Sequence, residues 1–177
     1  SALLFNAGSS SLKFSLMAED GAVLADGSSD WAGTPPRYRF RDRAEEAVAF
    51  RSPGPAVRRA IADLRRETLL PEGLLGVGHR WVHGGDFRES VRITPEVRSR
   101  LDALSRLAPL HAPPSLEALD AAMEELPDVP HVAAFDTAFH ASLAPEAYTF
   151  AVPEQWTREW GVRRYGFHGL NYDYCSS

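Results

Sequence analysis

The chain has 177 residues, of which 44% are hydrophobic and 24% are charged, as is typical of a globular protein with its own core. Its net charge of −5 offers no basic surface for nucleic acid or an anionic membrane. No apolar run approaches the roughly 20 residues that span a bilayer. The single cysteine excludes an internal disulfide and fits a cytoplasmic protein.

The first 26 residues predict a β-meander rather than the strand-to-helix start of a nucleotide-binding βαβ unit. Residues 2–6 are an apolar run, and residues 11–17 alternate between apolar and polar side chains. A turn signal follows, and residues 22–26 can return as a third strand.

The turn between the first two strands is rich in glycine and serine, and it reads Asn6-Ala-Gly-Ser-Ser-Ser-Leu-Lys13. The backbone N–H groups of such a turn can form an anion-binding concavity. Lys13, the only lysine in the chain, can reach the same anion from the second strand. A plain hairpin turn is the alternative interpretation, and the spacing is not that of a P-loop.

The rest of the chain alternates strand and helix signals, which indicates a mixed α/β sheet. The predicted elements are a short strand near 38–41, an amphipathic helix over 55–70, a strand over 74–82, a helix over 95–107, a proline-bounded loop over 108–114, a helix capped by Ser115 that reaches residue 126, a strand over 131–136, a helical segment over 137–144, an extended segment over 148–152 and a helix over 154–160 closed by Gly161.

The sequence Gly78-His-Arg-Trp-Val-His-Gly-Gly85 ends one predicted strand. Strand alternation places Arg80 and Val82 on one face, and His79 and His83 on the other. An arginine beside two glycines suits bidentate binding of a carboxylate or phosphate, with pairing to a structural acid as the alternative. The two histidines lack the helical spacing and the glutamate of a zinc protease motif.

Two further polar positions lie in predicted loops. His111 stands between prolines, which present it stiffly, although a solvated loop histidine is the alternative. Asp136 closes an apolar strand, where α/β folds place catalytic or metal-binding carboxylates, although it could also cap the next helix. No Gly-x-Ser-x-Gly elbow exists, so a hydrolase triad is disfavoured.

Five motifs, in order along the whole chain, resemble the acetate kinases. They are Asn6-Ala-Gly-Ser-Ser-Ser-Leu-Lys-Phe14, Gly78-His-Arg-Trp-Val-His-Gly-Gly85, Leu107-Ala-Pro-Leu-His111, Phe135-Asp-Thr-Ala-Phe-His140 and Arg164-Tyr-Gly-Phe-His-Gly169. The resemblance is weakest over residues 28–70. It implies an α/β, actin-like (ribonuclease H-like) ATPase domain, with a mixed β-sheet flanked by helices. This would be the first domain of a two-domain kinase, with residues 1–150 forming the amino-terminal domain and residues 151–177 starting the second.

The resemblance also implies how the carboxylate substrate is held. Arg80 matches the arginine that binds the acetate carboxylate. Val82, Leu110 and Phe167 match the small apolar pocket for the methyl group.

On the catalytic and nucleotide side, Asp136 matches the active-site acid, while His168 and, secondarily, His111 match histidines that stabilise the transferring phosphoryl group. Asn6 matches an asparagine associated with Mg²⁺ (or Mn²⁺), and Lys13 matches a lysine that contacts ATP. Ser9, Ser10 and Ser11 would form the phosphate-side turn, with His168 also near ATP. Asn171 departs from the family, which usually has a serine at this position or a Thr-Ser-His run.

The activity that the resemblance implies is reversible, Mg²⁺-dependent phosphoryl transfer from ATP to acetate, giving acetyl phosphate and ADP. The expected protein is cytoplasmic, a homodimer when full length, and without nucleic-acid or membrane partners. Two alternatives stay open: a propionate or butyrate kinase, and a non-catalytic amino-terminal fragment if the chain ends at Ser177. Val82 slightly favours acetate, because a smaller residue would leave room for another methylene.

Overall fold

The structure, a computed structural model, describes all residues from 1 to 177. Eight strands form one mixed sheet in the order β5-β4-β3-β2-β1-β6-β8-β7. The strands are β1 (Ala2–Ala7), β2 (Ser11–Met17), β3 (Val23–Asp30), β4 (Arg37–Phe40), β5 (Glu46–Ala47), β6 (Gly76–Trp81), β7 (Val91–Arg92) and β8 (His131–Phe135). Strands β1, β6 and β8 run parallel, and every other neighbouring pair is antiparallel.

Six helices accompany the sheet, and none of them is both long and apolar enough to cross a membrane. They are α1 (Pro53–Arg66), α2 (Pro95–Ala103), α3 (Ala112–Glu125), α4 (Pro145–Tyr148), α5 (Glu154–Trp160) and α6 (Gly169–Ser176). Short 3₁₀ turns span Leu104–Arg106 and Phe139–Ser142.

The predicted β-meander is observed, and its alternation builds the core. Leu3 and Phe5 of β1, with Leu12 and Phe14 of β2, are buried on the face covered by α1 and α3. The intervening side chains point to the opposite face, because successive strand residues alternate.

Several element boundaries differ from the sequence prediction. Helix α3 begins at Ala112 rather than after Ser115, whose hydroxyl donates to the His111 carbonyl one turn back (3.0 Å). The reason is that Pro113 and Pro114 occupy the first turn, where their missing N–H groups have no helical partner to lose. The predicted extended segment 148–152 forms no strand: Tyr148 is the last residue of α4, and Thr149 after it is extended, with φ −78° and ψ 130°.

The sheet brings three chain segments together at one edge. Strands β1, β6 and β8 are parallel neighbours, so their carboxyl ends meet. Asn6 near the end of β1, Arg80 near the end of β6 and Asp136 just after β8 therefore lie side by side.

Candidate active site

An ion pair joins the ends of β6 and β8. Arg80 donates from Nη2 to Asp136 Oδ2 (2.6 Å) and from Nε to Asp136 Oδ1 (3.2 Å). Its Nη1 donates to the amide oxygen of Asn6 (3.1 Å). A guanidinium has five N–H donors, so two remain for a ligand. The alternative that Arg80 pairs with an acid is thus observed, but the pair lies at a cleft, and free donors are left.

The backbone of Asp136 is held by two hydrogen bonds, one from its N–H and one to its carbonyl. Its backbone N–H donates to the Trp81 carbonyl (2.9 Å), and its own carbonyl accepts from the Gly169 N–H (2.8 Å). The residue is 1% exposed, and its carboxylate binds Arg80 rather than a helix N-terminus. The helix-cap interpretation of Asp136 is therefore wrong.

A cleft of about 610 Å³ opens beside this pair. It is lined by most of the residues singled out in the sequence, which are Ser9, Ser10, Arg80, Val82, Leu110, His111, Asp136, Phe167 and His168. These residues come from five separate segments of the chain. Asp136 is the one acidic residue that lines the cleft, and Arg80 balances its charge.

The turn at one end of the cleft presents unused backbone donors. Trp31, just after β3, ties the turn down: its indole N–H donates to the Ser9 carbonyl (3.0 Å) and its backbone N–H to the Ser10 carbonyl (2.9 Å). The N–H groups of Ser9 and Ser10 have no hydrogen-bond partner. Two such donors on a fixed turn suit an anion.

Lys13 and Asn6 lie on the open face of the sheet rather than in this cleft. They are directly opposite each other on β1 and β2. Both line a second cavity of about 350 Å³, to which α6 contributes Leu170. Arg80 lines both cavities, so they adjoin at its side chain. Ser11, the first residue of β2, lines neither cavity.

His168 has a strained backbone. Its φ of +59° is left-handed, a conformation that costs a non-glycine residue of the order of 1 kcal/mol or more. The neighbouring Gly169 holds it there through the bond to Asp136, and a side chain at Gly169 would overlap the Asp136 carbonyl oxygen. Strain retained at a cleft is a common mark of function.

His83, which no pattern in the sequence indicated as a site residue, lies in the wall of the cleft and is 8% exposed. Its Nδ1 accepts from the Gly85 N–H (2.9 Å), and burial lowers the pKa of its imidazole. Its ring contacts Tyr165 and Phe167. Only its place beside Gly84-Gly85 could have indicated a role, since the aromatic partners are 82 and 84 residues further along the chain.

The donor set fits a magnesium ion that arrives with a phosphate. No group of three or more metal-ligating side chains is present, so the chain has no all-protein cage. Mg²⁺ commonly uses one or two carboxylates together with waters and substrate phosphates. The Asp136 carboxylate and the Asn6 amide oxygen provide such a partial set beside the serine turn, and each oxygen retains a lone pair after binding Arg80.

Comparison with known proteins identifies the family. The sequence model of the acetokinase family matches residues 1–177. The chain belongs to the acetokinase family. It is 41% identical to the acetate kinase of Deinococcus radiodurans over 179 residues, covering 98% of this chain and 45% of that protein. It is 42% identical to the acetate kinase of Pseudomonas aeruginosa over 178 residues, with 98% and 45% covered.

Solved structures of the acetokinase family share the fold. The acetate kinase of Porphyromonas gingivalis superposes with a TM-score of 0.86 at 34% identity, covering 97% of this chain and 46% of that one. The propionate kinase of Francisella tularensis gives a TM-score of 0.89 at 32% identity, covering 99% and 47%. The predicted actin-like α/β fold is thereby confirmed. This acetokinase chain spans about half the length of the curated relatives it matches.

Proposed function

We propose that the polypeptide containing this chain is an acetate kinase, which transfers a phosphoryl group reversibly between ATP and acetate. The observation that carries the proposal is the Arg80–Asp136 pair, set between an apolar wall and a turn with free N–H groups. Such a cleft offers a cation for a carboxylate, an apolar pocket for a short chain and an anion site for phosphate. Membership of the acetokinase family supports the same activity.

Arg80 binds the acetate carboxylate with the N–H groups that Asp136 and Asn6 leave free. Val82, Leu110 and Phe167 enclose the methyl group. Acetate is ionised at neutral pH, so its oxygen attacks the γ-phosphorus without a general base. Positioning by the arginine and the apolar wall is therefore the main contribution on this side of the reaction.

The nucleotide lies with its phosphates towards the Ser9–Ser11 turn, whose N–H groups bind phosphate oxygens. His168 and His111 line the same cleft as this turn. They donate hydrogen bonds to the equatorial oxygens as charge develops there. Lys13 contributes a positive charge from the adjoining cavity. Its contact with ATP stays a prediction, since it does not share a cavity with the serines.

Asp136, with Asn6, would hold Mg²⁺. The ion supplies neutralisation of phosphate charge when it is bound. Because Arg80 already neutralises Asp136, this pair attracts a free cation weakly, and the phosphates have to provide the remaining negative charge.

A direct test uses the full polypeptide that contains this chain, supplied with ATP and Mg²⁺. ADP release is followed with a coupled assay, and acetyl phosphate is trapped with hydroxylamine as the hydroxamate. We expect ADP and hydroxamate in equal amounts, both dependent on acetate. ADP release that acetate does not change would contradict the proposal.

Propionate is the second candidate substrate, because the propionate kinase of Francisella tularensis has the same fold with a TM-score of 0.89. The ratio of kcat/KM for acetate to that for propionate distinguishes the two. One methylene changes such a ratio by roughly 10–200-fold in a closed apolar pocket.

Several accompanying points belong to the same proposal. They are a domain boundary near residue 150, a cytoplasmic location, a homodimer of the full-length protein and the absence of nucleic-acid or membrane partners. A polypeptide that ends at Ser177 would be a non-catalytic fragment. Mass spectrometry of the native protein tests that alternative together with the ADP assay.

A further inference from the structure

We propose that His83 is a positioning residue that sets the size of the acyl pocket, by packing edge-on against the Phe167 ring. This inference rests on the proposed function and extends it to a residue with no assigned role. Phe167 is 41% exposed at the cleft and belongs to an irregular segment, so its backbone alone does not hold its ring in place.

Two histidines anchor the segment that carries Phe167. His140 donates from Nε2 to the Phe167 carbonyl (3.0 Å), which fixes the backbone. His83 contacts the Phe167 ring edge-on, with 5.8 Å between ring centroids. The His83 ring also packs on Tyr165 at 4.5 Å, so it supports both aromatic residues of the segment.

The orientation of the His83 ring is itself fixed. Its Nδ1 accepts from the Gly85 N–H (2.9 Å), which requires Nδ1 to be unprotonated. Gly85 has a φ of +60°, so this hydrogen bond closes a tight turn directly after β6. Since β6 also carries Arg80, the carboxylate site and the support of the apolar wall are built on one rigid strand and its turn.

Removing the His83 ring while keeping an acceptor for the Gly85 N–H should enlarge the acyl pocket. Without the His83 ring against it, the Phe167 ring can change position, and the cleft that both residues line with Val82 gains space for a longer acyl chain. A pocket that loses one wall contact discriminates less between substrates that differ by one methylene.

Two variants distinguish the effect of the His83 ring from the effect of its Nδ1 acceptor. His83→Asn places an amide oxygen near the position of Nδ1 and keeps the turn bond, but it cannot reach Phe167. His83→Phe keeps the ring contacts and loses the acceptor. His83→Ser, which also offers a short acceptor, replaces His83→Asn if that variant does not fold.

The measurement is kcat and KM of the full polypeptide for acetate, propionate and butyrate. We expect His83→Asn to lower the acetate-to-propionate ratio of kcat/KM on the order of 10-fold, mainly through a lower KM for propionate. We expect His83→Phe to keep the ratio within about twofold while its melting temperature falls. An unchanged ratio in His83→Asn, or an equal change in both variants, would overturn the inference.

Failure of the proposed kinase activity would give a different result in the same assay. A wild-type protein that phosphorylates none of these acids contradicts the kinase assignment and leaves the contact itself to be tested by crystallography. In crystals of His83→Asn, a displaced Phe167 ring supports the positioning role. A Phe167 ring in its original place overturns it.

Discussion

Arg80 and Asp136 are 56 residues apart in the chain and meet through two hydrogen bonds at the ends of parallel strands. The same geometry, a guanidinium Nε and Nη2 on one carboxylate, recurs between Arg98 and Asp120 on the surface, with both bonds at 2.8 Å. The surface pair lines neither the cleft nor the adjoining cavity. It therefore supplies matched controls for the site.

Replacing Arg80 with alanine should raise the KM for acetate on the order of 100-fold. The reason is that a charge-assisted bond to the carboxylate is lost, and about 2.7 kcal/mol corresponds to that factor. Arg80→Lys should restore binding only partly, because an ammonium lacks the bidentate fork. Steady-state kinetics with Arg98→Ala as control provides the check. A KM for acetate that Arg80→Ala leaves unchanged would remove its carboxylate role.

Asp136→Asn should act mainly on kcat. The amide keeps the shape of the carboxylate but loses the charge that organises Mg²⁺ and the phosphates, so we expect kcat to fall on the order of 100-fold. The KM for acetate should change less, since Arg80 remains. Asp120→Asn is the matched control, and an equal loss of kcat in both variants would indicate a general effect on folding.

A substitution that relieves the backbone strain at His168 should preserve or increase stability and lower activity. Asparagine tolerates a left-handed φ better than histidine, so His168→Asn should keep or raise the free energy of unfolding, by up to about 1 kcal/mol, while kcat falls. Thr68 shares a positive φ of 57° and lines neither the cleft nor the adjoining cavity. Thr68→Asn should give the stability gain alone. Urea unfolding and kinetics on the same samples measure both quantities.

Acid should destabilise the fold through two buried histidines. His79 Nε2 and His131 Nδ1 are 3.1 Å apart, and His131 Nε2 lies 3.1 Å from the Leu126 carbonyl, which makes the His131 Nδ1 an acceptor. Burial lowers the pKa of His79 to about 3, and it also lowers that of His131.

The unfolded chain therefore binds more protons than the folded chain between about pH 6.5 and pH 3. This stabilisation is complete above pH 6.5 and is lost as the pH falls towards 3, by at most about 1.4 kcal/mol per pH unit for each histidine. Urea midpoints measured between pH 7.5 and 4.5 test this. His79→Phe should flatten the profile, and the exposed His111→Gln should not. A profile unchanged in His79→Phe would assign the acid sensitivity to other groups.

Gly169→Ala should damage the site by contact rather than by charge. An added Cβ would overlap the Asp136 carbonyl and approach the Phe139 side chain, so α6 must shift away from the loop after β8. Overpacking of this kind costs about 1–3 kcal/mol, and we expect kcat to fall with it. Gly73→Ala meets no atom within 4 Å and is the control. A Gly169→Ala protein with wild-type melting temperature and kcat would show that α6 is free to move.

Local patterns in the sequence were sufficient for the elements that depend on near neighbours. The alternation in residues 11–17 predicted β2, and the apolar run at 131–136 predicted β8, because burial on one or both faces imposes these patterns directly. The five ordered motifs also led to the family, which the comparison with acetokinases then confirmed. The cap at Ser115 was wrong, since prolines at a helix start leave a weak periodic signal. The extended segment predicted over 148–152 missed the single helical turn of α4, which ends at Tyr148.

The amino-acid sequence by itself determined which polar groups stand beside glycines at strand ends, and hence the class of chemistry. Only the tertiary structure decided which of those groups pair with each other and which cavity each of them lines. It pairs Arg80 with Asp136, places Lys13 in a different cavity from Ser9 and Ser10, and brings the rings of His83 and Phe167 into edge-on contact. The physical reason is that these relationships depend on strand order and loop packing between segments far apart in the chain, which no local spacing of residues encodes.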